Sequence, residues 1–302
     1  MLHNQTFAGY DIEIPVNIGK YEILECIGSG SFSVVYKVRS LSTGENYSAK
    51  VISMKDMTDK DSIESVSNEI KILQKVYHRN VVKYIESFND SHELGEELVV
   101  IVTEFCCNGN LYDFIQNGEL KDRKRVKPII EGVAEGLRYL HSIGVAHCDI
   151  KLGNILLDDE FLPKLCDFNL SKEVIDGEWG ICGGTFMYSA PEIQFEQPVD
   201  FFKADIWSFG ITIFVICEQA FPFCQDGEGN YNTDYLAYET RDKELNEVID
   251  KCTMENPEDR IDADQILHES YFAKVSKDCY SYYLDDKNER KQPAYNNGEI
   301  ID

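Results

Sequence analysis

Basic residues are scarce in this chain. Its 302 residues include 29 lysines and arginines against 54 aspartates and glutamates, which gives a formal charge of −25 at pH 7. Nucleic acids and anionic membranes are themselves negative and are repelled by such a surface. The composition therefore argues against both as partners. It leaves two interpretations of the acidity, attraction of basic protein substrates or solubility alone.

Long apolar runs are also missing. The longest, at residues 206–217, contains Ser208 and Thr212 and is too short to cross a bilayer, so it predicts a buried helix. The first twenty residues mix Asp11 and Glu13 with isolated apolar residues, which is not the order of a secretory signal. We therefore expect neither a membrane span nor a secretion signal.

Cysteines in paired spacing are absent as well. The ten cysteines include no Cys-x-x-Cys pair and no cluster with histidine of the kind that binds a metal. Cys106 and Cys107 are adjacent, which suits free thiols. A reducing compartment, the cytoplasm or the nucleus, is the expected location.

The residues that are present predict two folding units. Hydrophobic residues make up 43% of the chain and aromatic residues 12%, as in globular proteins. Strand patterns dominate residues 21–104, apart from one helical pattern at 62–76, and helical patterns dominate 105–272. We predict an α+β, bilobal fold with a small β-rich lobe, a larger α-helical lobe and a cleft between them. Residues 1–20 are expected to form an N-terminal extension and 273–302 a loosely ordered tail.

Four polar residues have the spacing that phosphate chemistry needs. Asp149, Lys151 and Asn154 follow one another closely, and Asp167 comes eighteen residues after Asp149. Phosphoryl transfer uses a carboxylate for the incoming hydroxyl, a cation for the moving phosphate and oxygen ligands for Mg²⁺. A polar surface loop would explain any one pair alone, so the interpretation depends on matching motifs elsewhere in the chain.

Those motifs occur upstream. Between two predicted strands lies the turn Gly28-Ser29-Gly30-Ser31-Phe32, whose glycines allow backbone amides to approach a phosphate. Lys50 lies in a third predicted strand, Tyr47 to Ile52, and Glu69 lies nineteen residues later in the predicted helix. In this order, over residues 21–272, the motifs resemble those of eukaryotic-type Ser/Thr protein kinases. Within that family they are most similar to the calcium/calmodulin-dependent or checkpoint-kinase-like group.

Two marks in the helical half strengthen the resemblance. Ala190-Pro191-Glu192 resembles the end of the activation segment, and Arg260 resembles the buried ion-pair partner of its glutamate. Asp205 resembles the residue that holds the backbone of the catalytic loop. Each alone is a common turn or cap, but together and in order they favour a bilobal protein-kinase-like fold.

The resemblance implies ATP and Mg²⁺ as cofactors and assigns catalytic roles. Asp149 would accept the proton of the substrate hydroxyl, and Lys151 would steady the γ-phosphate. Lys50, held by Glu69, would position the α- and β-phosphates. Two metal ligands are implied, Asn154 and Asp167.

A nucleotide pocket is implied by the same resemblance. Its expected residues are Ile27, Gly28, Gly30, Ser31, Phe32, Val35, Ala49, Lys50, Thr103, Glu104, Cys106 and Leu156. Val35 and Ala49 would cover one face of the adenine ring, and Leu156 the other. The backbones of Glu104 and Cys106 would hydrogen-bond its edge, behind a small gatekeeper threonine.

Lys151 and Thr185 indicate the substrate class. In the family, this lysine together with a threonine shortly before Ala-Pro-Glu accompanies Ser/Thr substrates. We expect protein substrates, with basic sequences as one option, and a monomer. A small-molecule or lipid kinase is one alternative. A pseudokinase that acts as a binding scaffold is another.

Departures from the family pattern bear on regulation. Cys148 stands where an arginine usually grips a phosphate on the activation segment, and residues 172–184 contain no Ser, Thr or Tyr. Because both the cation and a phosphate acceptor are missing, we expect activity without phosphorylation of the segment. Ser171 is a candidate modification site, although it lies close to Asp167. Ser33 replaces the usual third glycine of the Gly-rich loop.

Two residues around Asp167 carry further expectations. Asn169 stands where glycine usually allows a positive φ, so the loop should bind Mg²⁺ but flip less readily. Cys166 should face the ATP site near Lys50, where a cation favours a reactive thiolate. An inert buried thiol is the alternative.

Overall fold

The computed structural model describes most of the chain, including both predicted lobes. The described residues are 2–7, 10–15, 17–30, 33–54, 57, 60–91, 97–120, 125–175, 179–180, 183–195, 198–222, 224–225, 231–232, 240 and 242–273. Ser31 and Phe32 of the predicted nucleotide pocket lie outside the described residues, as do residues 274–302 of the predicted tail.

The N-terminal half is built on an antiparallel sheet of six described strands, in the order β3-β4-β5-β6-β8-β7. The strands are β3 (Asn17–Ile18), β4 (Tyr21–Ser29), β5 (Ser33–Ser40), β6 (Asn46–Ser53), β7 (Tyr84–Ser91) and β8 (Glu97–Glu104). A separate hairpin precedes them, formed by β1 (Leu2–Phe7) and β2 (Tyr10–Pro15). The sheet thus begins at Asn17, within the segment expected to be an extension.

The sheet has two different faces because side chains alternate along a strand. Tyr36, Ala49 and Val102 are register partners on β5, β6 and β8, and they pack together in one hydrophobic cluster. Val35, Lys50 and Ile101 are also register partners, and they border the cleft instead. This alternation determines which residues of the sheet can meet a ligand.

Helix α1 (Lys60–Lys75) connects β6 to β7. It begins two residues earlier than predicted. Its apolar stripe includes Val66, Ile72 and Leu73, which are buried in the main hydrophobic core. Glu69 lies among these residues and is only 3% exposed. The helix therefore carries one carboxylate into the interior.

The C-terminal half is mainly helical. Its helices are α2 (Leu111–Gln116), α3 (Val126–Ser142), α4 (Phe201–Glu218), α5 (Lys243–Cys252), α6 (Ala263–Ile266) and α7 (Ser270–Ala273). Its short strands are β9 (Val145–Ala146), β10 (Ile155–Leu157), β11 (Pro163–Leu165), β12 (Lys172–Glu173), β13 (Trp179–Gly180), β14 (Val199–Asp200), β15 (Cys224–Gln225) and β16 (Tyr231–Asn232). They pair antiparallel as β9 with β12, β10 with β11, β13 with β14 and β15 with β16.

Helix α4 forms the centre of this half and contains the predicted buried helix at residues 206–217. It is apolar almost all round, as expected of a helix enclosed by its neighbours. The Asp200 carboxylate caps its N-terminus by accepting from the backbone N–H groups of Phe202 and Lys203, at 2.9 and 3.1 Å. None of the described helices is both long and apolar enough to span a membrane.

A cleft of about 640 Å³ separates the sheet-rich half from the helical half. Residues from the sheet, from α1 and from the loops before β10 and after β11 line it. The predicted bilobal α+β architecture is therefore confirmed. Clefts of this kind between two halves of a protein commonly hold ligand-binding and active sites.

Candidate active site

Asp149 is held in one position by donors on three sides. It follows β9 and precedes a 3-10 turn at Leu152–Asn154, and it is 7% exposed. Lys151 Nζ lies 2.7 Å from its Oδ2, and Asn154 Nδ2 donates to the same oxygen at 2.8 Å. Thr185 donates to Oδ1 from its hydroxyl at 2.9 Å and from its backbone N–H at 3.1 Å. The carboxylate is therefore fixed before any substrate arrives.

The same donors decide its protonation. Burial raises the pKa of Asp149, but the hydrogen bond and charge of Lys151, with the hydroxyl of Thr185, outweigh it and hold the pKa below its ordinary value. Asp149 is therefore ionised at neutral pH and can accept a hydrogen bond or a proton.

Asp205, at the buried start of α4, holds the backbone around this residue. Its Oδ2 accepts from the His147 N–H at 2.7 Å, and its Oδ1 accepts from the Cys148 N–H at 2.8 Å. His141 Nε2 lies 2.9 Å from the same Oδ2. Cys148 has a φ of 63°, which is uncommon for a residue other than glycine. The predicted role of Asp205 in fixing the loop backbone is confirmed.

Lys50 joins the two halves of the molecule. Its Nζ lies 2.8 and 2.9 Å from the two carboxylate oxygens of Glu69, and 3.0 Å from Oδ1 of Asp167. Burial lowers the pKa of Lys50, but the two carboxylates outweigh burial and raise the pKa above its ordinary value. A permanent cation thus lies in the cleft beside Asp167.

Asn154 and Asp167 both line the cleft and suit a hard cation. The Nδ2 atom of Asn154 is occupied by Asp149, which leaves its Oδ1 as the atom for a metal. No group of three or more His, Cys, Asp or Glu in the described part of the chain could hold a metal. Mg²⁺ is usually bound by one or two protein oxygens, and phosphate and water fill its other coordination positions. Asn154 and Asp167 suit that arrangement.

Most of the predicted nucleotide residues surround the cleft. Those lining it are Ile27, Gly28, Gly30, Val35, Lys50, Thr103 and Leu156. Glu104 ends β8, and its carboxylate is already occupied, by the Lys83 N–H at 2.7 Å and by Lys164 at 3.2 Å. The Cys106 side chain is buried. The side chains of Glu104 and Cys106 thus leave only their backbones for a base, and those backbone contacts stay a prediction.

A buried ion pair supports the helical half. Arg260 Nη1 and Nη2 meet Oε1 and Oε2 of Glu192 at 2.5 and 2.7 Å, and the Arg260 side chain is fully buried. Arg260 also lies over the Trp207 ring, 5.0 Å from its centroid. This is the pairing that the sequence motifs predicted.

Comparison with known proteins agrees with this geometry. Residues 21–272 match the family model described as the protein kinase domain. The chain belongs to the protein kinase family.

Curated relatives carry serine/threonine kinase names. A probable cell cycle serine/threonine-protein kinase CDC5 homolog of Encephalitozoon cuniculi is 35% identical over 267 residues, which are 84% of this chain and 55% of the relative. Serine/threonine-protein kinase cds1 of Schizosaccharomyces pombe is 33% identical over 278 residues, 85% of this chain and 59% of the relative. Human death-associated protein kinase 2 is 35% identical over 214 residues, 68% of this chain and 56% of the relative. The chain therefore spans little more than half the length of these relatives.

One predicted pocket residue of this kinase domain needs correction. Ala49 does not line the cleft; it is fully buried in the cluster on the other face of the sheet. The residue that lines the cleft beside Lys50 is Ser48, opposite Thr103 on β8. Because side chains two apart on a strand share a face, counting back from Lys50 would have identified Ser48.

Three further expectations around Asp167 have different outcomes. Cys166 lines the cleft with Lys50, as predicted, but burial raises the pKa of its thiol, with Asp167 and Cys106 adding to the effect, which favours the alternative of an inert thiol. Asp167 has a positive φ, of 63°, and Asn169 does not, while the expectation that the loop flips less readily stays a prediction. Ser171 is only 1% exposed and its hydroxyl donates to the His147 carbonyl at 3.0 Å, which removes it as a modification site.

Proposed function

We propose that this kinase domain transfers the γ-phosphate of ATP to Ser or Thr hydroxyls of protein substrates, with Mg²⁺ as cofactor. The observation that carries the proposal is the fixed, ionised Asp149 carboxylate in contact with Lys151, Asn154 and Thr185. The serine/threonine kinase names of the relatives support the same activity.

Each residue has a part that follows from its chemistry. Asp149 orients the substrate hydroxyl and receives its proton, and Lys151 places a positive charge beside the reacting oxygens. Lys50, held by Glu69, supplies the cation for the phosphates of the nucleotide. Mg²⁺ bound by Asn154 and Asp167 would neutralise charge on the transferred phosphate. Rate acceleration then comes mainly from positioning and charge.

A scaffold without catalysis is the weaker alternative. Cys148, Ser33 and Asn169 depart from the family pattern and favour it. None of the three departures displaces Lys50 from Glu69, or Asn154 from Asp149. A binding module would not need those side chains to converge on one cleft.

A degenerate peptide library tests activity and substrate class together. We expect phosphate transfer from Mg²⁺·ATP to peptides with a central Ser or Thr, and at least about a hundredfold less to matched peptides with a central Tyr. Arrays with Lys and Arg at flanking positions, compared with Asp and Glu, test whether the acidic surface selects basic substrates. Transfer to tyrosine at the serine rate would contradict the proposed substrate class.

We also propose that the activation segment needs no phosphate to reach its working form. Cys148 is buried in an apolar cluster with Ala146, Val199 and Phe201, against which Leu170 packs. The position that usually holds an arginine for a phosphate is thus part of a hydrophobic contact. Together with the lack of Ser, Thr and Tyr in residues 172–184, this supports activity of the unmodified chain.

Protein made in bacteria and treated with phosphatase should keep its activity within about twofold, because no described contact of the segment requires a phosphate. Intact mass before and after treatment verifies that all phosphate is gone. Mock treatment without phosphatase is the matched control. A loss of more than about tenfold that is reversed by rephosphorylation would reject this part of the proposal.

The remaining expectations are proposals about context. We propose a monomer that works in a reducing compartment, the cytoplasm or the nucleus. Seven cysteines of the described part of the chain support the compartment, since they form no disulfide: Cys26, Cys106, Cys107, Cys148, Cys166, Cys217 and Cys252.

A further inference from the structure

Helix α1 is tied to the segment after Asp167 by two of its own side chains. The Ser65 hydroxyl donates to the main-chain carbonyl of Asn169 at 2.6 Å. The Asn68 side-chain amide donates to the main-chain carbonyl of Ser171 at 2.8 Å. Both acceptors are backbone atoms, so the bonds depend on the path of the segment and not on its side chains.

These bonds act on the helix turn that carries the ion pair. Ser65 lies four residues before Glu69 and Asn68 immediately before it, so all three belong to adjoining positions of one helical surface. Asn169 and Ser171 follow Asp167 by two and four residues. Helix α1 is therefore linked to the chain around Asp167 in two ways. Lys50 contacts both Glu69 and Asp167, and the two hydrogen bonds join the helix to residues just after Asp167.

A third contact on this boundary contributes less. Lys75, in the last turn of α1, meets Glu173 at 2.9 Å, but both side chains are more than 40% exposed. Exposed ion pairs are screened by water and salt and stabilise little. The Asn68 bond is partly buried, and the exposed Ser65 bond is short and is made to a fixed backbone carbonyl, so these two are the stronger candidates for holding the helix.

We propose that Ser65 and Asn68 are positioning residues that hold α1 where Glu69 pairs with Lys50, so that the chain's own side chains do what a phosphorylated segment would otherwise do. The inference rests on the proposed nucleotide pocket, but it does not require that phosphate be transferred. It also explains why asparagine is tolerated at position 169, where the family usually has glycine. The φ of Asn169 is not positive, and its carbonyl accepts the hydrogen bond from Ser65.

The test is the double variant Ser65→Ala, Asn68→Ala, probed with two ATP-site compounds. One carries a bulky group for which α1 must move outward, and the other is its parent without that group. The apparent affinity of the first compound is proportional to the population with the helix displaced. Loss of two hydrogen bonds should raise that population, and hence that affinity, about ten- to thirtyfold, while the parent compound binds as before.

The controls separate positioning from general damage. Alanine is a better helix former than serine or asparagine, so weaker helix formation cannot cause the outward shift. Ser67→Ala, at an exposed position of the same helix, should leave both affinities unchanged. Ser65→Thr alone keeps the hydroxyl and leaves Asn68 in place, so this variant should bind both compounds as the parent protein does.

Outcomes that overturn the proposal are distinct from failure of the proposed function. Unchanged affinity for the bulky compound in the folded double variant would reject the positioning role. An equal loss of affinity for both compounds would show a merely structural role and reject it as well. Because both readouts are binding constants, a chain that never transfers phosphate would still show the predicted shift.

Discussion

Asp149→Asn should lower kcat by about a hundred- to ten-thousandfold, the usual contribution of a positioned base, while the affinity for Mg²⁺·ATP changes by less than about threefold. Asparagine has nearly the shape of aspartate, but it lacks the charge and replaces one acceptor with a donor. That donor would face Lys151 or Thr185, which already donate to the carboxylate. The hydroxyl of the substrate would then lose both its acceptor and its orientation.

The measurement combines steady-state transfer to the best library peptide with calorimetric titration of Mg²⁺·ATP. Asp159→Asn is a matched control, because Asp159 is an exposed aspartate in the turn before β11 and should leave both quantities unchanged. A variant that keeps more than about a tenth of the parent kcat would remove Asp149 from the proposed mechanism. Loss of nucleotide binding in Asp149→Asn would instead mean that the residue supports the pocket and not the transfer.

The fold was predictable because its signals are local. Alternating and three-to-four periodic patterns distinguished the sheet from helix α1, and an apolar run of twelve residues marked the buried helix α4. The elements begin and end within a few residues of the expected positions, for example Lys60–Lys75 for the helix predicted at 62–76. The resemblance to protein kinases predicted that Asp149, Asn154 and Asp167 share one site, and Asn154 and Asp167 do line the cleft while Asp149 contacts Asn154.

Expectations failed or stayed open where tertiary structure decides between neighbouring residues or between competing effects. Ala49 and Ser48 differ by one position, and a shift of one residue on a strand moves a side chain to the opposite face. Cys166 lies near a cation as predicted, but burial has the larger effect on its pKa.

The contacts of Ser65 and Asn68 had no signal in the sequence at all. Their carbonyl partners lie 104 and 103 residues away along the chain. Any backbone carbonyl can accept a hydrogen bond, so the identity of the acceptor residue reveals nothing. Only the folded arrangement shows that these two polar residues face the segment after Asp167 and not solvent.

Breaking the ion pair between Glu192 and Arg260 should have the second largest effect, which is a loss of folding stability. Glu192→Leu should lower the free energy of unfolding of the helical half by about 3–5 kcal/mol, the cost of leaving a buried charge without its partner. The Arg260 guanidinium also donates to the main-chain carbonyls of Met254 and Glu255, at 2.6 and 3.1 Å. Those bonds keep it in place, so it cannot turn outward to reach water when the carboxylate is removed.

Urea unfolding followed by circular dichroism measures the effect, and an exposed pair provides the comparison. Arg39 meets Glu22 at 2.6 Å on the sheet surface, where both side chains are at least a third exposed, so Glu22→Leu should cost less than about 1 kcal/mol. If burial of an unpaired charge is the cause, replacing both partners by leucine should recover part of the loss, since no charge is then left behind. Equal costs for the buried and the exposed pair would contradict that cause, because the two differ in burial far more than in geometry.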